Sequence, residues 1–151
     1  MSKLLGILTV IIFSSVIWAV IFFGAFICFK GCTPAHASEI NDVQAVMTII
    51  GEAEGEPFEG KLAVACAIRN RGTLKGVYGL RAPRVLNHKY SKQTEQYAVN
   101  AWIMSEDSGN CEFIKGADHW EGDKFPKPSW SKKMVETAHI GHQIFYKEVE
   151  K

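Results

Sequence analysis

Little in this 151-residue chain can cross-link or stiffen it: it has four cysteines and five prolines. Cys28 and Cys32 lie in or just beyond an apolar N-terminal run, so Cys66 and Cys111 alone belong to the rest. No Cys or His pairs recur at the short spacing of a structural zinc site, and His139 and His142 are separated by the helix-breaking Gly141, so no metal is expected. There is no internal repeat and no low-complexity tract, which excludes solenoids and compositionally disordered chains. The formal net charge is +1. Such a balance leaves no basic footprint for nucleic acid.

What is present begins with an uncharged run from Leu4 to Phe29, rich in Leu, Ile, Val and Phe. As a helix its roughly 26 residues would reach about 39 Å, against a hydrocarbon core of about 30 Å. The expectation is one uncleaved transmembrane helix in residues 1–30, a linker over 31–38 and a domain over 39–151. A cleaved signal is the runner-up, since Ala35-His36-Ala37 offers a small-x-small site ending at Ala37. The run is, however, about twice a usual h-region of 7–15 residues. A lipoprotein at Cys32 ranks last, because Phe29-Lys30-Gly31 is a poor lipobox. Lys3 and Lys30 flank the run too evenly to set its orientation.

Beyond Lys30, 15 of the 17 basic residues face all 16 acidic ones, a formal charge of about −1. Residues 39–59 hold six acids and no base, and 61–92 hold eight bases and no acid. Either the two segments neutralise each other across the fold, or they form a cleft with an acidic floor and a basic rim for an anionic polymer. Cys66, between Ala65 and Ala67, is expected to be a buried free thiol. A Cys66–Cys111 disulfide is the alternative in an oxidising compartment.

Ser38, Asn41 or Asp42 can cap a helix in which Val43, Val46, Met47 and Ile50 make one apolar stripe. Glu52 points about 180° from Val43 on that helix, toward solvent or a cleft. After Gly55 and Pro57, an alanine-rich helix runs from Phe58 to a stop at Gly72 and is expected at the centre of the core. Residues 72–90 are expected to be a long functional loop. Ser91 starts a third helix through Met104. A hairpin is expected around Lys115-Gly116, a fourth helix from Ser129 or Ser131 through "KKMVETAHI", and a last strand at "HQIFYK". The class is α+β, helices predominating over a small antiparallel sheet.

Three stretches carry a family resemblance. "GEAEGEPFEGKLAVACAIRNR" resembles the signature of SleB-like cell wall hydrolases, GEARGEPYEGQ followed by an Ala/Val-rich helix ending in Asn-Arg. "GADHWEGDKFPKPSW" is similar to the His, aromatic, Glu segment of phage-type members, and "HIGHQIFYK" to their closing strand. Glu54 stands where the family often has Arg, and Lys61 where it often has Gln, which shifts the local charge balance.

The resemblance implies a lysozyme-like, peptidoglycan-cleaving domain without cofactor. Its implied reaction is lytic transglycosylase cleavage between N-acetylmuramic acid and N-acetylglucosamine, on the outer side of the membrane. Glu52 is then the general acid and base. Glu54, Glu56 and Glu59 crowd it, and such like charges, together with an apolar wall where Glu52 lies against the buried helix, would hold a carboxyl protonated. Glu56, Asn70, His119, Trp120, Glu121 and Trp130 are candidate substrate contacts, with Tyr90 a further stacking candidate. Peptidoglycan strands and, through the N-terminal helix, the membrane are the expected partners. An N-acetylmuramoyl-L-alanine amidase and a non-catalytic peptidoglycan-binding membrane protein are the alternatives.

If the apolar run is an anchor, the full-length protein pellets with membranes and resists carbonate extraction. A soluble product beginning at Ser38 as the main species would identify a cleaved signal instead.

Overall fold

The computed structural model describes residues 40–149. The anchor or signal expected at the N-terminus lies outside these residues. Among the described residues no helix is long and apolar enough to cross a membrane.

Helix α1 spans Asp42–Ala53, and the Asn41 side chain caps it by accepting from the Gln44 amide at 3.2 Å. Its buried residues are Ala45, Thr48, Ile49, Ile50 and Ala53, whereas Val43 is 66% exposed. Of the Val43, Val46, Met47, Ile50 stripe expected, Ile50 is buried and Val46 and Met47 pack against the core, while Val43 faces out. The buried face extends past the stripe to Ala45, Thr48, Ile49 and Ala53, and at Thr48 the neighbouring backbone comes close. At 100° per residue, Glu52 then lies about 20° from Ala45 and belongs to the buried face.

Helix α2, Phe58–Arg71, is the expected central helix: every residue from Gly60 to Ile68 is buried. It ends at Gly72, whose φ of 68° is the left-handed conformation glycine adopts without strain. Lys61 is buried in this core. Its ammonium group donates to the carbonyls of Glu54 and Glu56, satisfying backbone acceptors at the end of α1. Burial pulls its pKa down, against the pull of Glu56 and Glu54.

Residues 72–90 are not the structureless loop expected. They contain a 3₁₀ turn, Gly79–Arg81, and a short helix α3, Pro83–Leu86, with proline in the first turn. Helix α4, Lys92–Met104, starts at Ser91, whose hydroxyl accepts from the Thr94 amide at 3.0 Å. It packs on α1 and α2. There the Trp102 indole donates to Asp42 at 2.9 Å and Arg69 stacks 3.7 Å above the Trp102 ring.

The hairpin expected around Lys115-Gly116 is absent. Ser108–Ile114 instead forms a 3₁₀ helix capped by Asp107, and Lys115 and Gly116, both at positive φ, turn the chain toward β1. The fourth helix is also absent: Ser129–Lys133 is a 3₁₀ turn and "MVETAHI" is strand β2, Met134–Ile140. An adjacent partner strand outweighs the local helix preference of "KKMVETAH". That partner is β3, Gln143–Glu148, joined to β2 through Gly141 and His142. Strand β1, His119–Gly122, pairs with the other edge of β3, giving the antiparallel order β1-β3-β2. The result is the α+β class expected, with three strands beside a helical core.

The free Cys66 thiol is corrected as well. Cys66 and Cys111 form a disulfide with Cα atoms 5.5 Å apart and a sequence separation of 45. Apolar neighbours place Cys66 in the core, but the 3₁₀ helix folding back on α2 brings Cys111 to it. Replacing Cys66 with Ala should cost about 4 kcal/mol by the loop-closure estimate for this separation. Denaturant melts measure that loss. Alkylation should label neither cysteine before reduction, and two reactive thiols in the native chain would refute the link.

Candidate active site

Glu52 sits in the last turn of α1, half-buried at the base of a cleft of about 440 Å³. Arg71, Gly76, Val77, Tyr78, His119, Trp120 and Trp130 line the cleft with it. Glycine at two positions makes this placement possible. A Cβ on Gly51 would fall on the Gly79 carbonyl, and one on Gly79 would fall on the Thr48 carbonyl. Helix α1 and the 79–81 turn therefore meet backbone to backbone. That contact brings the Gly79 amide to Glu52 Oε1 at 2.6 Å.

Burial raises the Glu52 pKa above its ordinary value, while hydrogen bonds from the Gly79 amide, the Trp120 side chain and the Tyr78 amide oppose the rise. The neighbouring carboxylates, expected to cause this effect, are engaged elsewhere. Glu54 pairs with Arg84 at 2.6 Å, and Glu56 accepts from the His142 amide at 2.8 Å. Gln143 steadies the segment by donating to the Glu52 carbonyl at 3.1 Å.

The cleft gathers Glu52, His119, Trp120 and Trp130 from the expected set. His119 Nδ1 lies 2.8 Å from Asp118 Oδ1, and its ring is 5.4 Å from Trp130. The other candidates stand outside the lining. Asn70 donates to the Ala117 carbonyl at 2.8 Å, tying the end of α2 to the approach to β1. Glu121 accepts from the Tyr146 hydroxyl at 2.6 Å, and Tyr146 meets Trp130 edge-on at 5.5 Å. Burial and then Glu121 push the Tyr146 pKa up, keeping that hydroxyl a donor. Glu56 fastens the β2–β3 turn, where a Cβ on Gly141 would strike its carboxylate. Tyr90 packs against the core, its hydroxyl 3.4 Å from the Met47 sulfur.

Sequence reasoning missed Arg71, Tyr78 and Gly79. The paired glycines of "GVYGL" were the available signal, but nothing local links them to Gly51. His139 and His142 each lie 3.4 Å from Asp123, and among the described residues no group of three His, Cys, Asp or Glu side chains is arranged to hold a metal.

No protein-family model matches the sequence, nor does any curated protein. Among solved structures, the chain is similar to the catalytic domain of the germination-specific lytic transglycosylase SleB from Bacillus anthracis. The identity is 23%, covering 74% of this chain and 98% of that one, with a TM-score of 0.55. The catalytic domain of the Bacillus cereus SleB protein matches at 24% identity over 78% of this chain and 99% of that one, with a TM-score of 0.49. The fold is SleB-like, as the three sequence stretches implied.

The Glu52 environment generates a stability signature. Its folded pKa is raised, so between the unfolded and folded values the native state binds the extra proton and stability falls as pH rises. Below about pH 4 both states are largely protonated and the penalty vanishes. Thermal melts should therefore show Glu52→Gln gaining on the wild type as pH rises from there through the folded pKa of Glu52, then levelling. A difference that grows in the opposite sense would mean that the site stabilises the anion.

Proposed function

We propose that the domain cleaves the bond between N-acetylmuramic acid and N-acetylglucosamine in peptidoglycan strands, as a lytic transglycosylase with Glu52 as its single acid and base. The carrying observation is Glu52 itself: a half-buried carboxyl of raised pKa in an aromatic-walled cleft whose lining holds no second carboxylate. Glycoside hydrolysis by inversion, or by retention through an enzyme-bound sugar, calls for two carboxylates flanking the bond. A lone carboxyl fits a route in which the substrate supplies the nucleophile.

In the first step, neutral Glu52 gives its proton to the glycosidic oxygen as that bond breaks and positive charge grows on the muramyl ring. The muramyl C6 hydroxyl then attacks its own anomeric carbon, and ionised Glu52 takes the hydroxyl proton. The products are a 1,6-anhydromuramyl end and a glucosaminyl hydroxyl, and Glu52 is neutral again. Burial raises the pKa and so favours the protonated acid, which general acid catalysis requires. Trp120 and Trp130 offer apolar faces for sugar rings. The SleB-like fold supports the same reading. A thiolate amidase finds no support, since Cys66 and Cys111 are bonded to each other. We place the domain outside the membrane, anchored by the N-terminal run, because the substrate is there.

Glu52→Gln keeps an acceptor for the Gly79 amide but removes the transferable proton. Muropeptide release should fall by about 10⁴-fold, near 5.5 kcal/mol, with binding to sacculi retained. Mass analysis of digests checks both points: 1,6-anhydro ends mark the transglycosylase, reducing ends a hydrolase, free stem peptides an amidase. A variant that keeps more than about a tenth of wild-type turnover, a loss below 1.4 kcal/mol, would move the acid elsewhere.

A further inference from the structure

The basic residues between positions 61 and 92 have unequal fates. Lys61 is buried against the Glu54 and Glu56 carbonyls, Arg69 bonds Ser105 and Glu106 beside Trp102, and Arg84 pairs with Glu54. Arg71 differs from these three. It closes α2 and lines the Glu52 cleft. Its Nη2 donates to the Lys75 carbonyl at 3.0 Å, and no carboxylate among the described residues forms an ion pair with it. Gly76 beside it adds no side chain to cover the guanidinium.

A guanidinium is always charged and carries five donors in a fixed fork. The rest of the lining, apart from Glu52 and His119, consists of Gly76, Val77, Tyr78, Trp120 and Trp130, so Arg71 is the permanent cation of the cleft. Sugar hydroxyls and acetamido groups are neutral and do not call for it. The carboxylates of a peptidoglycan strand sit on the muramyl substituent alone, on the O3 lactyl group or on the peptide that extends it.

Resting on the glycan-cleaving reading above, we propose that Arg71 determines specificity by binding a carboxylate of the muramyl substituent, so that a muramyl residue, and not a glucosaminyl one, presents its glycosidic oxygen to Glu52. The strand alternates two sugars of nearly the same shape. A slip of one residue would offer Glu52 the wrong linkage. A charged contact made by every second sugar sets the register where stacking on Trp120 or Trp130 cannot, because both sugars have similar faces.

The test uses the full chain carrying Glu52→Gln, titrated with peptide-bearing glycan fragments whose carboxyls are free or methyl-esterified. Charge-assisted pairing predicts about 10- to 100-fold tighter binding of the free-acid fragment. Adding Arg71→Gln should bring that ratio close to one with little change for the ester. Arg71→Lys, which keeps the charge without the fork, should give an intermediate ratio. A ratio unchanged by Arg71→Gln, or an equal loss for both fragments, overturns the proposal. If the Glu52→Gln chain still cleaves the fragments, the catalytic reading falls while the ratio still decides Arg71. Failure to bind any fragment overturns both.

Discussion

The close approach of Gly51 and Gly79 is the constraint on which the cleft depends. Any side chain at either position would push α1 away from the 79–81 turn, because the obstructing atoms are backbone and cannot rotate aside. With the two segments in contact, the Gly79 amide reaches Glu52, and Tyr78 is carried onto the cleft wall. The same contact buries the carboxyl and fixes which of its oxygens accepts. Desolvation and orientation of Glu52 therefore come from one packing event.

Polar tethers hold segments around the cleft. Lys61 satisfies carbonyls where α1 ends, Asn70 holds the approach to β1, and Glu56 holds the turn between β2 and β3. Glu121 acts at one remove, through Tyr146, on the ring of Trp130. The cleft has loop and turn residues on its rim but helix ends and strands behind them. The disulfide adds a covalent tie between α2 and the 3₁₀ helix that precedes β1.

The crowding of Glu52, Glu54, Glu56 and Glu59 has a different meaning from mutual repulsion. One carboxyl is half-buried with its pKa raised by desolvation, one is paired with Arg84, and one binds a backbone amide. The acidic segment and the basic segment after it do neutralise each other where Glu54 meets Arg84, while Arg71 remains for the cleft. The neutralising reading of that charge asymmetry holds at the Glu54–Arg84 pair.

The sequence by itself determined the central helix, the Ser91 cap, the last strand and the special standing of Glu52. These depend on local signals: an alanine run closed by glycine, a capping hydroxyl, alternation, a motif. Tertiary structure decided how far the buried face of α1 extends, since at Thr48 the backbone of the 79–81 turn presses close. It likewise made a strand of Met134–Ile140, by supplying β3 as a partner, and joined Cys66 to Cys111 across 45 residues. The cause of the raised Glu52 pKa also belongs to the fold. Of the two causes the sequence offered, an apolar wall and nearby carboxylates, desolvation dominates, and the space that causes it is enclosed by segments distant in the chain.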